Sequence, residues 1–367
     1  MNTKQLRNTK WSILVYTILL IIIGLIALYS ATSGLEFAEF KKQLIWVVIS
    51  IPIFIIFFVI DYKILVKISL PLYIISIILL ILVLLTNAIQ GASSWFSFGG
   101  VSLQPGEFAK IAVILYVANV MAKIKSKGEK AINKPLNILL VLGIVFLPVF
   151  LIILQPDYGT AIAYLLALVL MLFVAGIDKK YIIISVILVV IIVPLLYFFV
   201  LPQHAKNRID VYLNPYMDPR GAGYNIIQSK LAVGGGRLLG QGFLKGTQTH
   251  LGFLYPKTTD FIFAVIAEEM GFIMCVAIVV IYVLLITKSI AVAKNSSDEL
   301  GSYLAIGLVG ILLFHIIENI GMTIGLLPIT GVPLPFISYG GSSLITNIII
   351  IALILNISNK DKQLSFG

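Results

Sequence analysis

Residues 11–30 read WSILVYTILLIIIGLIALYS and contain no charged side chain. At a rise of about 1.5 Å per residue, roughly twenty apolar residues in a helix span the hydrocarbon core of a bilayer. The run is longer than the apolar part of a secretory signal peptide, and no convincing cleavage site follows it. We therefore expect a retained spanning helix and an integral membrane protein.

The same apolar pattern continues along the 367-residue chain, in which 60% of the residues are hydrophobic and 11% are charged. Soluble domains carry about 25% charged residues and lack the interior to bury so much apolar surface. The pattern predicts an all-α polytopic membrane fold that forms a single domain over residues 1–367. About ten spanning helices are expected, at residues 12–31, 43–60, 64–86, 106–122, 137–154, 160–177, 181–201, 260–288, 301–326 and 340–358.

The distribution of lysine and arginine predicts how these helices are oriented. If the N-terminus is cytoplasmic, most of the basic residues fall in cytoplasmic segments, and the short external loops hold only Lys41 and Lys42. Such a bias is typical of multi-pass proteins. We expect both termini in the cytoplasm and the protein in the inner (plasma) membrane. The net charge of +10 has the same origin, so nucleic-acid binding is not expected.

The connection between predicted helices 7 and 8, residues 202–259, is far longer than the others and is assigned to the extracellular side. Long loops are translocated regardless of their charge, and connections of this length are usually functional or disordered. Apolar and amphipathic pieces argue against disorder, so a folded loop that contributes to an active site is predicted. Its basic residues are Lys206, Arg208, Arg220, Lys230, Arg237, Lys245 and Lys257.

Ionisable groups at membrane depth are costly and are therefore candidates for function. Asp260 lies where this loop re-enters the bilayer and the eighth helix begins. It has two compatible interpretations. Aspartate is a preferred helix cap, and a carboxylate at the lipid boundary can also accept a proton from a sugar hydroxyl.

Other ionisable groups lie near the same face. Glu107 and Lys110 in QPGEFAK (104–110) are one turn apart, so they can form an ion pair, or Lys110 can attract phosphate while Glu107 orients it. Asp157 can cap the sixth helix or face the same cavity. Internal pairing is expected for the remaining polar and charged groups of the last helices, which are Glu268, Glu269, His315, Glu318 and Asn319.

These residues alone suit an anionic lipid whose head group reacts with a hydroxyl nucleophile, and they suit a transporter equally well. No ATPase, metalloprotease or serine-hydrolase motif occurs in the sequence. The single cysteine, Cys275, cannot form an intrachain disulfide, and no metal-ligand spacing is present.

A set of short motifs follows in order along the chain. They are WF (95–96), QPGEFAK (104–110), PDYGTA (156–161), RID (208–210), GAGYNIIQSK (221–230), GQGFLKGTQ (240–248), TDFIF (259–263), EEMGF (268–272) and PFISYGGSS (335–343). Together these motifs resemble the SEDS family of shape, elongation, division and sporulation proteins over the whole chain. The Gly-Thr-Gln at 246–248 is more similar to the elongation branch than to the division branch. Two positions depart from the family pattern: Gly106 replaces a serine, and Thr258 replaces a histidine.

The resemblance implies a peptidoglycan glycosyltransferase that polymerises lipid II at the extracytoplasmic face, with a class B penicillin-binding protein as partner. Asp260 would be the catalytic base, and undecaprenyl pyrophosphate would be the leaving group. A divalent cation, Mg²⁺ or Mn²⁺, is an open expectation. Three alternatives stay open: a lipid II flippase, a non-catalytic scaffold for the transpeptidase and an O-antigen-ligase-like enzyme. The substrate-binding residues implied are Gln104, Glu107, Lys110, Asp157, Arg208 and Lys245.

Overall fold

The computed structural model describes residues 10–34, 36–86, 94–98, 101–200, 203–221 and 223–364. Its first half is helical apart from one antiparallel hairpin of strands β1 (Phe96–Phe98) and β2 (Val101–Leu103). A 3-10 turn, Ala131–Asn133, precedes the sixth helix. The helices are α1 (Trp11–Ala31), α2 (Ala38–Val59), α3 (Tyr62–Lys67), α4 (Ser69–Val83), α5 (Pro105–Lys125), α6 (Pro135–Leu154) and α7 (Tyr158–Val174).

The second half is also helical. A π-helical turn, Leu196–Val200, follows α8, and a 3-10 turn, Pro215–Met217, follows α9. The helices are α8 (Lys179–Leu195), α9 (Gln203–Leu213), α10 (Tyr224–Gly235), α11 (Thr247–His250), α12 (Ile262–Lys294), α13 (Glu299–Thr323) and α14 (Gly341–Leu364). The predicted all-α class is confirmed.

Each predicted span coincides with helical structure, but two spans are interrupted, one of them at Gly271 within the span predicted at 260–288. The span predicted at 64–86 is two helices, α3 and α4, separated at Ile68. Within the described residues, six helices are long and apolar enough to cross a membrane: α1, α2, α6, α12, α13 and the Gly341–Lys360 part of α14. A multi-pass membrane protein is thus supported. The total of ten crossings and the cytoplasmic termini stay predictions.

Helix α13 lies at the centre of the bundle, packed against α5, α7 and α12, while α14 packs against α2. These two are the most buried of the long apolar helices. Helix α2 instead exposes Ile45, Val48 and Ile51. These side chains do not pack against another part of the protein, and in a membrane they contact lipid.

Helix α12 is interrupted at Gly271, whose φ of 77° and ψ of −177° are not helical. Glycine adopts this conformation without the steric cost that a β-carbon would add. The backbone N–H groups of the next two residues leave the helical ladder, and Phe272 donates to Arg237 O at 2.9 Å. Helix α12 is therefore two helical pieces held together by the loop that precedes it.

The loop segment 236–242 lies against this interruption, and we call the contact the loop–helix junction. Gln241 N donates to Glu268 O at 2.9 Å. The backbones approach so closely that a β-carbon on Gly236 would lie 1.8 Å from Ala267 O. The glycine-rich part of the long loop is therefore an ordered element that packs backbone against backbone.

Candidate active site

A cavity of about 250 Å³ lies where the long loop joins α12. It combines the hairpin region, the starts of α5 and α7, the segment before α12 and the connection between α13 and α14. Its wall is formed by Ser94, Trp95, Gln104, Glu107, Pro156, Asp157, Thr160, Thr259, Asp260, Ile329, Thr330, Gly331, Val332, Pro333, Tyr339, Gly340, Ser342 and Ser343. Four of the predicted site residues, Gln104, Glu107, Asp157 and Asp260, are thus brought together.

Two helix N-termini meet at this cavity. Asp157 is the N-cap of α7 and accepts a hydrogen bond from Thr160 N at 3.2 Å. Its other oxygen accepts one from the Gln104 side-chain amide at 2.6 Å. Burial raises the pKa of Asp157, and the hydrogen bonds from Thr160 oppose that rise. The two interpretations of Asp157, helix cap and cavity residue, both hold.

Glu107 lies in the first turn of α5, where the helix dipole favours a carboxylate. Its Oε1 is 2.6 Å from Lys110 Nζ, and both side chains are buried. Its Oε2 is buried without a hydrogen-bond partner among the described residues. Glu107 therefore lines the cavity and keeps a buried acceptor that no described residue satisfies.

Lys110 lies behind Glu107 and is not part of the cavity wall. Besides Glu107, its ammonium contacts His315 Nε2 at 3.0 Å. An ammonium can only donate, so His315 Nε2 accepts and its Nδ1–H faces Pro333 O at 3.4 Å. His315 is a packed hydrogen-bond partner, as expected. Lys110 orients Glu107 in this arrangement, and its predicted contact with substrate stays a prediction.

Asp260 precedes α12. The helix begins at Ile262, and Phe261 occupies the N-cap position, so the helix-cap interpretation of Asp260 is not supported. The Asp260 carbonyl accepts a hydrogen bond from Asn319 Nδ2 at 2.9 Å. Its carboxylate faces Gly331, since Oδ2 lies 3.5 Å from the position that a β-carbon there would take. This carboxylate belongs to the wall of the cavity.

Two predicted cationic residues lie elsewhere. Lys245 is exposed in the long loop and is not part of the cavity wall. Arg208 belongs to α9, and its side chain lies outside the described part of the structure. Within the described residues, the wall contains no lysine or arginine. The charged side chains of the described wall are therefore carboxylates, and Lys110 and Lys245, which the family resemblance implies as substrate-binding residues, are not among them.

The expected internal pairing of Glu268 and Glu269 is confirmed. Glu268 accepts hydrogen bonds from Gln248 N at 2.6 Å, Thr249 N at 3.0 Å and Thr249 Oγ1 at 2.7 Å. Glu269 accepts one from Ser30 Oγ at 2.6 Å and lies 2.9 Å from His250 Nε2. We call this group the loop anchor, because it fastens α11 to α12.

Glu318 accepts a hydrogen bond from Thr330 Oγ1 at 2.9 Å, so its partner is the cavity wall and not His315. Sequence reasoning missed Thr330 and Tyr339 in the cavity wall, and it expected internal pairing for Asn319 without linking its amide to the Asp260 segment. The signal for Asn319 was an amide in the middle of an otherwise apolar helix. A metal site was not predicted from spacing, and within the described residues no group of three or more His, Cys, Asp or Glu could hold a metal ion.

Comparisons with known proteins cover almost the whole chain. A family model described as a cell cycle protein, that of FtsW, RodA and SpoVE, matches residues 10–363. "Peptidoglycan glycosyltransferase MrdB" of Escherichia coli (strain K12) is 38% identical over 361 residues, which cover 95% of this chain and 94% of that protein. "Probable peptidoglycan glycosyltransferase FtsW" of Geobacter metallireducens is 36% identical and covers 99% and 98% of the two chains.

A solved structure shows the same fold. It is described as "Structural coordination of polymerization and crosslinking by a peptidoglycan synthase complex", with a TM-score of 0.83 and 28% identity. The match covers 97% of this chain and 99% of that one. Because the family model matches nearly the full length of this chain, the chain belongs to the FtsW/RodA/SpoVE family of cell cycle proteins, the SEDS family.

Proposed function

We propose that this chain is an elongation-type peptidoglycan glycosyltransferase, similar to RodA, that polymerises lipid II at the extracytoplasmic face of the plasma membrane. The observation that carries the proposal is the position of Asp260 in the wall of a cavity shared with Glu107 and Asp157. All three lie where irregular backbone meets helix starts, which gives a lipid-linked head group polar partners at the membrane surface. The names of the relatives support the same activity.

In the proposed reaction, Asp260 takes the proton of the 4-hydroxyl of the acceptor GlcNAc. The oxygen forms a bond to C1 of the donor MurNAc, and the bond from C1 to the phosphate oxygen breaks. The electron pair leaves with undecaprenyl pyrophosphate, and the configuration at C1 inverts. A positioned base contributes about 10²- to 10⁴-fold to such a reaction.

The other wall residues bind and orient. Glu107, which lines the cavity, accepts a hydrogen bond from a sugar hydroxyl or amide. The hydrogen bond between Gln104 and Asp157 holds these two side chains in place in the cavity wall. Because the described wall has no cation, Arg208 and Lys245 are assigned to the diphosphate at the membrane surface outside the cavity.

A divalent cation, Mg²⁺ or Mn²⁺, stays an expectation from the family resemblance. The wall carboxylates do not form a group that could hold a metal by themselves. Such an ion would need oxygen ligands from the diphosphate, and no step of the reaction above is assigned to it.

A class B penicillin-binding protein is the proposed partner. The related structure concerns a complex that coordinates polymerisation and crosslinking, and a transpeptidase that crosslinks strands as they form fits the proposed polymerase. The apolar helix faces that such a partner would contact are of the same kind as those that contact lipid.

The test is formation of glycan strands from purified lipid II by the full chain co-purified with this partner, wild type beside Asp260→Ala. Polymer from the wild type and none from a folded variant supports the enzyme and its base. Polymer from Asp260→Ala at the wild-type rate removes Asp260 from the chemistry. Absence of polymer from both, with lipid II crossing a vesicle bilayer, supports the flippase. Partner activation without polymer or transport supports the scaffold.

A further inference from the structure

The backbone that carries Asp260 is held at three consecutive carbonyl groups. Thr258 O accepts from Tyr339 N at 2.9 Å, Thr259 O accepts from Ser338 Oγ at 2.6 Å, and Asp260 O accepts from Asn319 Nδ2 at 2.9 Å. This segment is not helical, so its carbonyls lack the partners that a helix supplies. Every one of the three is satisfied by α13 or by the connection from α13 to α14.

Asn319 joins two walls of the cavity. Its Nδ2 donates to Asp260 O and to Val332 O, each at 2.9 Å. Both partners are carbonyl oxygens, so only the NH₂ side of the amide can face them. The side chain is fully buried, and its Oδ1 has no hydrogen-bond partner within the described residues. A buried unpaired amide oxygen costs stability and calls for an explanation, and the two bonds on the other side of the amide provide one.

Ser338 makes a second connection of this kind. Its hydroxyl donates to Thr259 O and accepts from Leu334 N at 2.8 Å. It therefore closes its own turn and fastens that turn to the residue before Asp260. Asn319 and Ser338 come from different elements and approach the Asp260 segment independently. Neither is part of the cavity wall, so neither meets the substrate there.

We propose that Asn319 and Ser338 are positioning residues that fix the Asp260 carboxylate at the reacting hydroxyl. The inference rests on the proposed function, because it takes Asp260 as the base. Catalytic groups need support from residues that are themselves locked by packing, and α13, the helix that carries Asn319, is among the most buried of the bundle. A misplacement of about 1 Å at a catalytic group can cost about 100-fold in rate.

A control for ordinary structural roles is available one turn further along α13. Thr323 is fully buried, and its Oγ1 donates to Asn319 O at 2.7 Å. Thr323→Val removes a buried hydrogen bond from the same helix without touching the Asp260 segment. Any loss of activity that Thr323→Val shares with Asn319→Ala is then a consequence of weaker packing.

The experiment measures kcat and KM for lipid II, per folded molecule, for the full chain with its partner. The series is wild type, Asp260→Ala, Asn319→Ala, Ser338→Ala, Ser338→Thr and Thr323→Val. We expect kcat to fall about 100-fold in Asn319→Ala and about 10-fold in Ser338→Ala, with KM within twofold of the wild type. Ser338→Thr keeps the hydroxyl and should recover at least half of the wild-type kcat. Thr323→Val should stay within about twofold.

Several results overturn the inference. If the kcat values of Asn319→Ala and Ser338→Ala equal that of Thr323→Val, the hydrogen bonds of Asn319 and Ser338 serve packing alone. Ser338→Thr as slow as Ser338→Ala, with a wild-type melting temperature, would show that the hydroxyl is not what matters. If Asn319→Ala does not fold, the comparison of kcat between Ser338→Ala and Ser338→Thr tests the inference instead. An active Asp260→Ala would instead refute the proposed base, which separates failure of the function from failure of the inference.

Discussion

Glu107 and Glu268 are both buried carboxylates near the same end of the molecule, but they are used in opposite ways. Glu268, in the loop anchor, accepts three hydrogen bonds from one short stretch of chain. Glu107, in the cavity wall, has one oxygen on Lys110 and the other without a partner. Burial alone therefore does not identify a functional carboxylate. What distinguishes the two is that donors from the chain satisfy both oxygens of Glu268, whereas Glu107 lines the cavity and has one oxygen without a partner among the described residues.

Asp260 provides the largest expected effect. Asp260→Asn keeps the size of the side chain and removes its basicity, so we expect polymerisation to fall about 10²- to 10⁴-fold, with an unchanged melting temperature. Rates of glycan formation and thermal unfolding in detergent measure the two quantities. A large loss of melting temperature would place Asp260 with the loop anchor instead of the cavity wall.

Substitution of Glu107 should lower both the stability of the protein and its polymerisation activity. Glu107→Gln leaves the buried Lys110 ammonium without its carboxylate, which we expect to cost about 3–5 kcal/mol of stability. The double variant Glu107→Gln with Lys110→Met removes the unpaired charge and should recover most of that stability while activity stays low. If the double variant regains activity with stability, Glu107 serves only as the counter-ion of Lys110.

Glu268 should affect stability and leave the chemistry intact. Glu268→Gln turns one acceptor into a donor that faces the amides of Gln248 and Thr249, at an expected cost of about 1–3 kcal/mol. Activity per folded molecule should stay within about twofold, since the side chain is not part of the cavity wall. Limited proteolysis of the loop, which should accelerate, and the polymerisation assay check the two parts. A loss of kcat without faster cleavage would contradict the comparison.

Lys245 should produce the smallest change. It is exposed and is assigned to the diphosphate outside the cavity, so Lys245→Ala is expected to raise KM for lipid II a few-fold with kcat unchanged. Surface substitutions of this kind leave stability within about 0.5 kcal/mol. Lys127→Ala, an exposed lysine in the α5–α6 connection, is the matched control. Equal KM values in both variants would remove Lys245 from substrate binding.

The sequence predicted the helices because apolar runs carry their own signal, but the breaks inside two of the runs, at Ile68 and at Gly271, did not follow from it. It also placed Asp260, Glu107 and Asp157 at one end, since each lies at a helix start near the same face. The positions of Lys110 and Lys245 relative to the cavity did not follow, because the reach of a long side chain depends on neighbours distant in sequence. Asn319 could not be assigned, since nothing local shows that its amide meets two carbonyls outside its own helix.

The interruption of α12 at Gly271 has a consequence for hydrogen exchange. The amide protons of Phe272 and Ile273 are bonded to the carbonyls of Arg237 and Leu238, so their exchange requires separation of the loop and not unwinding of the helix. Two adjacent amides in the middle of a long helix thereby report on the docking of a segment that lies 35 residues earlier in the chain. Their protection, compared with that of amides deeper in α12, measures how firmly the loop is seated while the rest of the helix stays closed.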